Sequence, residues 1–172
     1  MTDLKEYIRE IPDFHKPGIL FKDITPLLAN GQAFHAAVDR IAERYRGRVD
    51  KVLGIESRGF IIGAPVAYAL DAGLAVVRKP GKLPGQTFAA RYALEYGSDA
   101  LEIHRDAFGH PCRVLIVDDL LATGGTAGAA IELVERLGGE VVECAFLIEL
   151  SVLKGRARLL PHSAFALMEY AG

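Results

Sequence analysis

The stretch VLIVDDLLATGGTAG, from Val114 to Gly128, combines the residue types that form a sugar-phosphate site. Its apolar run predicts a parallel strand buried on both faces, with Asp118 and Asp119 at the carboxyl edge, where open α/β sheets bind ligands. The Thr/Gly-rich loop that follows suits a phosphate, because glycine backbone approaches an anion closely and the next helix offers free N–H groups. Carboxylates beside such a loop can hold vicinal ribose hydroxyls or a hydrated Mg²⁺. The pattern therefore predicts a site for a ribose 5-phosphate.

Other phosphate-binding and acidic-pair motifs fit this stretch less well. The sequence contains no GxxxxGK[ST] P-loop, and Gly124, Gly125 and Gly128 do not have the spacing of the dinucleotide motif GxGxxG. A response-regulator receiver carries its acidic pair after the first strand, whereas this pair lies two-thirds of the way along the chain. The remaining alternative is a solvated strand end followed by an ordinary βα turn.

The motif VLIVDDLLATGGT resembles the phosphoribosyl pyrophosphate (PRPP) signature of type I phosphoribosyltransferases, and its DDLLATGGT part is similar to that of the adenine-specific members. The resemblance extends from Pro12 to about Arg156. It implies a purine-salvage enzyme that transfers the 5-phosphoribosyl group of PRPP to N9 of adenine, giving AMP and pyrophosphate. It also implies a homodimer and Mg²⁺ as cofactor, with the metal held through PRPP and water and no direct protein ligand.

The resemblance assigns the substrate phosphates and ribose to three segments. The phosphate and ribose of PRPP or AMP are assigned to Asp118, Asp119, Ala122, Thr123, Gly124, Gly125 and Thr126. The pyrophosphate is assigned to Ser57 and Arg58 in GIESRGF (54–60) and to Lys79 and Lys82 in RKPGKLPG (78–85). Arg58 is also expected to be catalytic, and Lys79 to lie within reach of a neighbouring subunit's site. Taken alone, GIESRGF is typical of a capped helix start and RKPGKLPG of a solvated charged face.

Base recognition is expected from PGILFKDITP, residues 17–26. The resemblance assigns stacking of the purine to Phe21 and pairing with its edge to main-chain groups of Leu20 and Lys22. Backbone pairing suits adenine, because a C=O accepts from the exocyclic amine while an N–H donates to a ring nitrogen. Taken alone, Phe21 is more typical of a core residue.

Residues 86–108 lack helical periodicity and predict an extended hairpin or a long flexible loop. They resemble the family's mobile catalytic lid, which excludes water from an oxocarbenium-like ribose. The resemblance assigns proton transfer at the purine imidazole to Glu95, and cover of the site to Arg91 and Tyr96. The alternative is a surface hairpin in which Glu95 is merely solvated.

The whole chain, 1–172, is expected to form a single α/β domain with a mostly parallel sheet flanked by helices. An N-terminal base-binding hood (1–30) and the flexible hairpin lid (86–108) are expected to complete it. Apolar patterns predict strands at 51–55, 74–77, 113–118, 141–148 and 164–168, and helices at 3–10, 32–46, 60–70 and 126–137.

Composition restricts the partners and the compartment. A formal net charge of -2 provides no general attraction to nucleic acid or to anionic membranes, so neither is expected as a partner. Cys112 and Cys144 lie in or beside predicted strands, which favours buried thiols in a reducing, cytoplasmic compartment. Two alternatives remain: a phosphoribosyltransferase for another base, such as xanthine or hypoxanthine, and a regulatory PRPP-binding domain.

Overall fold

The structure is a computed structural model that describes residues 1–94 and 96–172. A short 3₁₀ turn, Leu4–Tyr7, precedes the first strand, and another, Ser151–Leu153, follows the eighth. The strands are β1 (Arg9–Pro12), β2 (Leu20–Asp23), β3 (Lys51–Ile55), β4 (Gly73–Val77), β5 (Thr87–Ala93), β6 (Ser98–His104), β7 (Arg113–Leu121), β8 (Glu140–Leu150) and β9 (Ala164–Tyr170). The helices are α1 (Thr25–Ala29), α2 (Gly31–Tyr45), α3 (Arg58–Ala69), α4 (Gly125–Arg136) and α5 (Gly155–Leu159).

Five parallel strands form the central sheet, in the order β4-β3-β7-β8-β9. From β3 the chain passes through α3 to β4 on one side, whereas β7, β8 and β9 follow one another on the other side. The strand order therefore reverses between β3 and β7. In open α/β sheets, ligands bind at the carboxyl ends of the strands beside such a reversal. The predicted α/β fold with a parallel sheet flanked by helices is confirmed.

Both faces of the central sheet are buried, and β7 shows this residue by residue. Leu115 and Val117 belong to the core on the side of α2 and α3. Val114 and Ile116 belong to the core on the side of α4 and the β5–β6 hairpin. A strand covered on both faces has no solvent side, so its sequence is continuously apolar rather than alternating. This burial explains why the run from Val114 predicts a parallel strand.

The expected helix at 3–10 is wrong. Only Leu4–Tyr7 is helical, as a single 3₁₀ turn, and Arg9–Pro12 forms β1, which pairs with β2 in a separate antiparallel sheet. Isolated short helices are marginal in water, so pairing with a neighbouring strand outweighs a weak helical pattern here. Pro12 does not break this pairing, since an edge strand tolerates a residue without an N–H.

The expected strand at 113–118 is too short, and the acidic pair lies within β7 rather than at its end. Asp118 pairs with Phe146 of β8, and the pairing continues to Leu121. On the other side of β7, pairing with β3 stops at Val117. Asp118 and Asp119 are therefore inside the strand on the β8 side but beyond the edge of the sheet on the β3 side. This stagger opens a crevice at the reversal of strand order.

Within residues 1–94 and 96–172, no helix is long and apolar enough to cross a membrane. Cys112 and Cys144 are free and buried, as the sequence predicts. Burial raises the pKa of the Cys144 thiol to about 12, so this thiol stays protonated at neutral pH.

Candidate active site

The segments that follow β3 and β7 meet at the crevice, and Gly59 allows their close approach. A Cβ at Gly59 would lie 2.9 Å from the carbonyl oxygen of Val117 and 3.0 Å from Oδ1 of Asp118. Any side chain there would push α3 away from the acidic pair. Next to it, Arg58 Nε donates a hydrogen bond to Asp119 Oδ2 at 2.5 Å. The GIESRGF segment and the acidic pair thus form one site.

The two aspartates differ in their electrostatic surroundings. Both are buried, and the Asp119 N–H donates to Asp118 Oδ1 at 2.8 Å. Burial, followed by the negative charge of Asp119, raises the pKa of Asp118 well above its usual range. Burial therefore disfavours the charged form of Asp118, whereas Asp119 is paired with Arg58.

Glu56 organises the basic side of the crevice. Its carboxylate accepts hydrogen bonds from Lys82 Nζ at 2.6 Å, the Lys79 amide at 2.7 Å and an Arg78 Nη at 3.2 Å. Burial acts to raise the pKa of Glu56, but the bonds from Lys82 and the Lys79 amide outweigh it and lower the pKa to about 2. Glu56 therefore stays ionised and holds the basic loop in place. The peptide bond between Glu56 and Ser57 is cis.

These groups line a cavity of about 510 Å³. Its walls include the pyrophosphate residues expected from sequence and the acidic pair: Ser57, Arg58, Lys79, Lys82, Asp118 and Asp119. Three cations facing one space can bind a polyanion through charge-assisted hydrogen bonds, whose individual strength is about 1.5–3 kcal/mol.

A second cavity, of about 600 Å³, lies beside the first and is lined by the loop from Ala122 to Thr126. Helix α4 begins at Gly125, and its N-cap residue Gly124 has a φ of 86° and no side chain that could cap the helix. The first N–H groups of α4 are therefore available to a ligand. An uncapped helix start in a cavity is a suitable site for a phosphate monoester.

The two loop glycines are not equivalent as test positions. A Cβ at Gly124 would lie 2.6 Å from the carbonyl oxygen of Gly155, so a substitution there would displace α5. A Cβ at Gly125 would lie 3.1 Å from Tyr92 Cδ2 and 3.4 Å from an Arg158 Nη, and its nearest backbone atom would be the Ala93 carbonyl oxygen, at an ordinary contact distance of 3.8 Å. Gly125 is therefore the position that tests access of the phosphate to the loop.

We expect Gly125→Val to raise the KM for PRPP roughly tenfold or more, because loss of one charge-assisted contact already has that effect. The KM for adenine should change far less in initial-rate measurements. Gly128→Val is the matched control, since a Cβ at Gly128 meets nothing within 4 Å. A larger change in the KM for adenine than in that for PRPP would contradict the phosphate assignment.

Lys79 connects the two cavities to the β5–β6 hairpin. Its Nζ donates to Tyr92 Oη at 2.6 Å and forms an ion pair with Asp99. Lys79 lines both cavities, so the hairpin forms part of the wall of the site. The hairpin predicted for 86–108 is present. Glu95, which falls between β5 and β6 in the sequence, lies outside the described residues.

The segment expected to bind the base, residues 17–26 (the base segment), presents main-chain groups on the edge of β2 that does not pair with β1. The Asp13 N–H donates to the Ile19 carbonyl at 2.8 Å, and the next pair in the register is Pro12 with Leu20. Because hydrogen-bonded and non-bonded pairs alternate along an antiparallel ladder, Leu20 and Lys22 occupy non-bonded positions. Their N–H and C=O groups therefore face away from β1.

The side chains of this segment have different surroundings. The half-buried Phe21 ring lies 4.8 Å from the Phe14 ring, centroid to centroid. The Lys22 side chain is only 2% exposed, forms an ion pair with Glu10 and lies 4.2 Å from the centroid of the Tyr170 ring. Lys22 thus anchors the segment through its side chain. In the part of the chain that the structure describes, none of residues 20–22 lines either cavity.

We expect Phe21→Ala to raise the KM for adenine by roughly 5- to 150-fold, because stacking of a base on an aromatic ring contributes about 1–3 kcal/mol. Phe21→Leu separates stacking from packing, since leucine keeps apolar volume but has no aromatic face. Initial-rate kinetics should show the KM for PRPP unchanged in both variants. If Phe21→Leu matches the wild type, Phe21 is a packing residue.

Sequence reasoning missed several side chains that line the larger cavity. Tyr92 and Asp99 are cross-strand partners in the hairpin. The alternation of side chains along its two strands could therefore have indicated that both residues lie on the same face. Arg158 belongs to α5, whose five residues are too few for a periodic pattern. The missed lining residues are Tyr92, Asp99, Phe146 and Arg158.

Comparison with known proteins supports the family resemblance seen in the sequence. The family model described as phosphoribosyl transferase domain matches residues 27–167. The adenine phosphoribosyltransferase of Syntrophotalea carbinolica is 57% identical over 171 residues, which cover 99% of this chain and 100% of that protein.

Two crystal structures of adenine phosphoribosyltransferases share the fold. The protein from Thermoanaerobacter pseudethanolicus has a TM-score of 0.92 and 50% identity, covering 97% of this chain and 98% of that one. The protein from Saccharomyces cerevisiae, in complex with D-2,5-dideoxy-2,5-imino-altritol 1,6-bisphosphate and adenine, has a TM-score of 0.90 and 43% identity, covering 95% and 96%. The chain therefore belongs to the phosphoribosyltransferase family, among relatives named adenine phosphoribosyltransferases.

Proposed function

We propose that this protein transfers the 5-phosphoribosyl group of PRPP to N9 of adenine, producing AMP and pyrophosphate in purine salvage. One observation carries the proposal: an uncapped helix start and a cavity with three cations and an acidic pair adjoin at the reversal of strand order. The relatives named adenine phosphoribosyltransferases, and the yeast enzyme's complex with adenine, support the choice of base.

The two cavities divide PRPP between them in this proposal. The 5-phosphate binds the loop from Ala122 to Thr126, at the start of α4. The ribose hydroxyls bind Asp118 and Asp119, and the pyrophosphate binds Ser57, Arg58, Lys79 and Lys82. This division is supported by the adjoining walls of the cavities, since Lys79 and Thr126 line both.

In the reaction, N9 of adenine forms a bond to C1′ while the bond from C1′ to the pyrophosphate oxygen breaks and its electron pair leaves with pyrophosphate. Arg58, Lys79 and Lys82 stabilise the charge that develops on this leaving group. Holding N9 against C1′ contributes by converting the encounter into an intramolecular step. The hairpin limits capture of the ribose cation by water.

The donor chemistry of the site fits Mg²⁺ held largely by the substrate. Asp118 and Asp119 offer carboxylate oxygens to the smaller cavity, and Mg²⁺ prefers oxygen ligands while keeping several waters. Within the described residues, no group of three or more His, Cys, Asp or Glu side chains could hold a metal. When bound with PRPP, Mg²⁺ offsets the negative charge of the departing pyrophosphate.

Glu95 is proposed to accept the proton released from the purine imidazole ring. We expect Glu95→Gln to lower kcat with little change in the KM for PRPP, because the amide keeps the size of the side chain but cannot act as a base. Measurement of kcat from pH 5 to 9 tests this. A kcat equal to that of the wild type throughout would leave Glu95 as a solvated residue.

Four further features belong to the proposal. Residues 1–30 act as the base-binding hood of the single domain, and 86–108 act as a mobile lid. A homodimer is supported by exposed apolar residues on α3 and the neighbouring edge strand β4: Ile61, Tyr68 and Leu74. The buried thiols of Cys112 and Cys144 are compatible with a reducing, cytoplasmic environment.

The proposed activity is tested directly by incubating the protein with PRPP, Mg²⁺ and one purine at a time, with products separated by chromatography. We expect AMP and pyrophosphate in equal amounts with adenine. Formation of a nucleotide only from xanthine or hypoxanthine would replace the proposed base. Binding of PRPP with no nucleotide from any purine would replace the enzyme by a PRPP-binding domain.

A further inference from the structure

Arg158 lies beside the proposed phosphate loop and has no hydrogen-bond or ion-pair partner for its side chain among the described residues. An Arg158 Nη lies 3.4 Å from the position that a Cβ at Gly125 would occupy. Its side chain lines the larger cavity together with Thr123 and Thr126. No hydrogen bond or ion pair of its guanidinium is found among residues 1–94 and 96–172. An arginine with all donors available therefore borders the uncapped start of α4.

The position of Arg158 is set by close backbone packing. A Cβ at Gly155 would lie 2.4 Å from the Ala122 carbonyl oxygen, and a Cβ at Gly124 would lie 2.6 Å from the Gly155 carbonyl oxygen. Helix α5 and the loop are therefore in direct backbone contact, which two glycines make possible. Arg156, two residues earlier, holds α5 from the other side through bonds to both Glu149 carboxylate oxygens at 2.9 and 2.8 Å. Arg158 is thus carried on a segment docked to the loop.

The larger cavity has little positive charge available to an anionic ligand apart from Arg158. Among the described lining residues, the only cations are Lys79 and Arg158. Lys79 is already paired with Asp99 and Tyr92, and it also faces the smaller cavity. The donors of the loop itself are neutral N–H and hydroxyl groups. A dianionic phosphate monoester in this cavity would therefore find its available positive charge on Arg158.

We propose that Arg158 binds the phosphate monoester of the substrate and product, as a cationic clamp opposite the start of α4. A guanidinium suits this task because its planar fork binds two phosphate oxygens at once. The proposal deepens the proposed function and rests on it for the identity of the ligand. Arg158 is a binding residue for the 5-phosphate and not for the pyrophosphate, because it does not line the smaller cavity.

The test is titration calorimetry of the full chain with ribose 5-phosphate and, separately, with pyrophosphate and Mg²⁺. We expect Arg158→Ala to weaken ribose 5-phosphate binding roughly 10- to 100-fold, as for loss of a charge-assisted contact, and to change pyrophosphate binding less than about twofold. Arg158→Lys should recover part of the loss, since it restores the charge but not the fork. In initial-rate kinetics, the KM for PRPP should rise more than kcat falls.

Arg46→Ala is the control for general electrostatic attraction, because it removes the same charge beyond the C-terminus of α2, outside both cavities. Unchanged ribose 5-phosphate binding in Arg158→Ala, or an equal loss for pyrophosphate, would overturn the proposal. An equal loss in Arg46→Ala would also overturn it. The binding measurement needs no turnover, so its outcome is separate from the outcome of the purine product assay.

Discussion

Replacing Asp118 and Asp119 together by asparagine should lower kcat/KM for PRPP by about a hundredfold to ten-thousandfold while preserving the fold. Each charge-assisted hydrogen bond contributes about 1.5–3 kcal/mol, and in the double variant neutral amide oxygens replace both carboxylates as acceptors for the ribose hydroxyls. It also leaves Arg58 without its carboxylate partner. Initial-rate kinetics measure the loss, and circular dichroism with thermal melting checks the fold.

The two single variants should differ, because only Asp119 is paired with an arginine. The raised pKa of Asp118 favours its neutral form, which the neutral amide of Asp118→Asn resembles. Asp119→Asn removes the carboxylate that accepts from Arg58 and should account for most of the loss. A larger loss in Asp118→Asn than in Asp119→Asn would contradict this expectation.

Asp71→Asn is the matched control for these variants. Asp71 is an exposed aspartate after α3, at the opposite edge of the sheet, and asparagine tolerates its φ of 52°. The activity of the Asp71→Asn variant should equal that of the wild type. Turnover near that of the wild type in the double Asp118/Asp119 variant would contradict the ribose assignment.

The central sheet could be predicted from sequence because its signal is local and strong. The apolar run from Val114 has no solvent-facing residues, which is the pattern of a strand buried on both faces. The predicted strand at 51–55 matches β3 residue for residue. Motifs that directly follow parallel strands lie at the same edge of the sheet. The proximity of Arg58 to the acidic pair could therefore also be predicted from the sequence.

The remaining features depend on contacts between distant residues. Strand β1 exists because β2 pairs with it, which a weak helical pattern at 3–10 could not reveal. Lysine is ordinarily exposed, yet Lys22 is buried because Glu10 and Tyr170 enclose its side chain. The place of Arg158 depends on glycine contacts between α5 and the loop, which no local pattern encodes.

The base segment is expected to discriminate between purines through its backbone groups rather than its side chains. Leu20 and Lys22 occupy the non-bonded positions of β2, so each can offer both a C=O and an N–H to a ligand. Adenine matches a C=O with its exocyclic amine and an N–H with a ring nitrogen. Hypoxanthine has a carbonyl at position 6, which would face the protein carbonyl and leave both acceptors unsatisfied.

We expect kcat/KM for adenine to exceed that for hypoxanthine by at least about a thousandfold, since sites built around a specific hydrogen bond reject ligands that lack it by roughly 10⁴–10⁵. Purine, which has no substituent at position 6, should fall between them, because it loses a bond without opposing two acceptors. Lys22→Met should keep this order of preference even if it weakens binding, because the backbone groups survive. A competition assay with all three bases measures the ratios. Comparable values for adenine and hypoxanthine would overturn the adenine assignment while leaving the PRPP site intact, because the two rest on different segments of the chain.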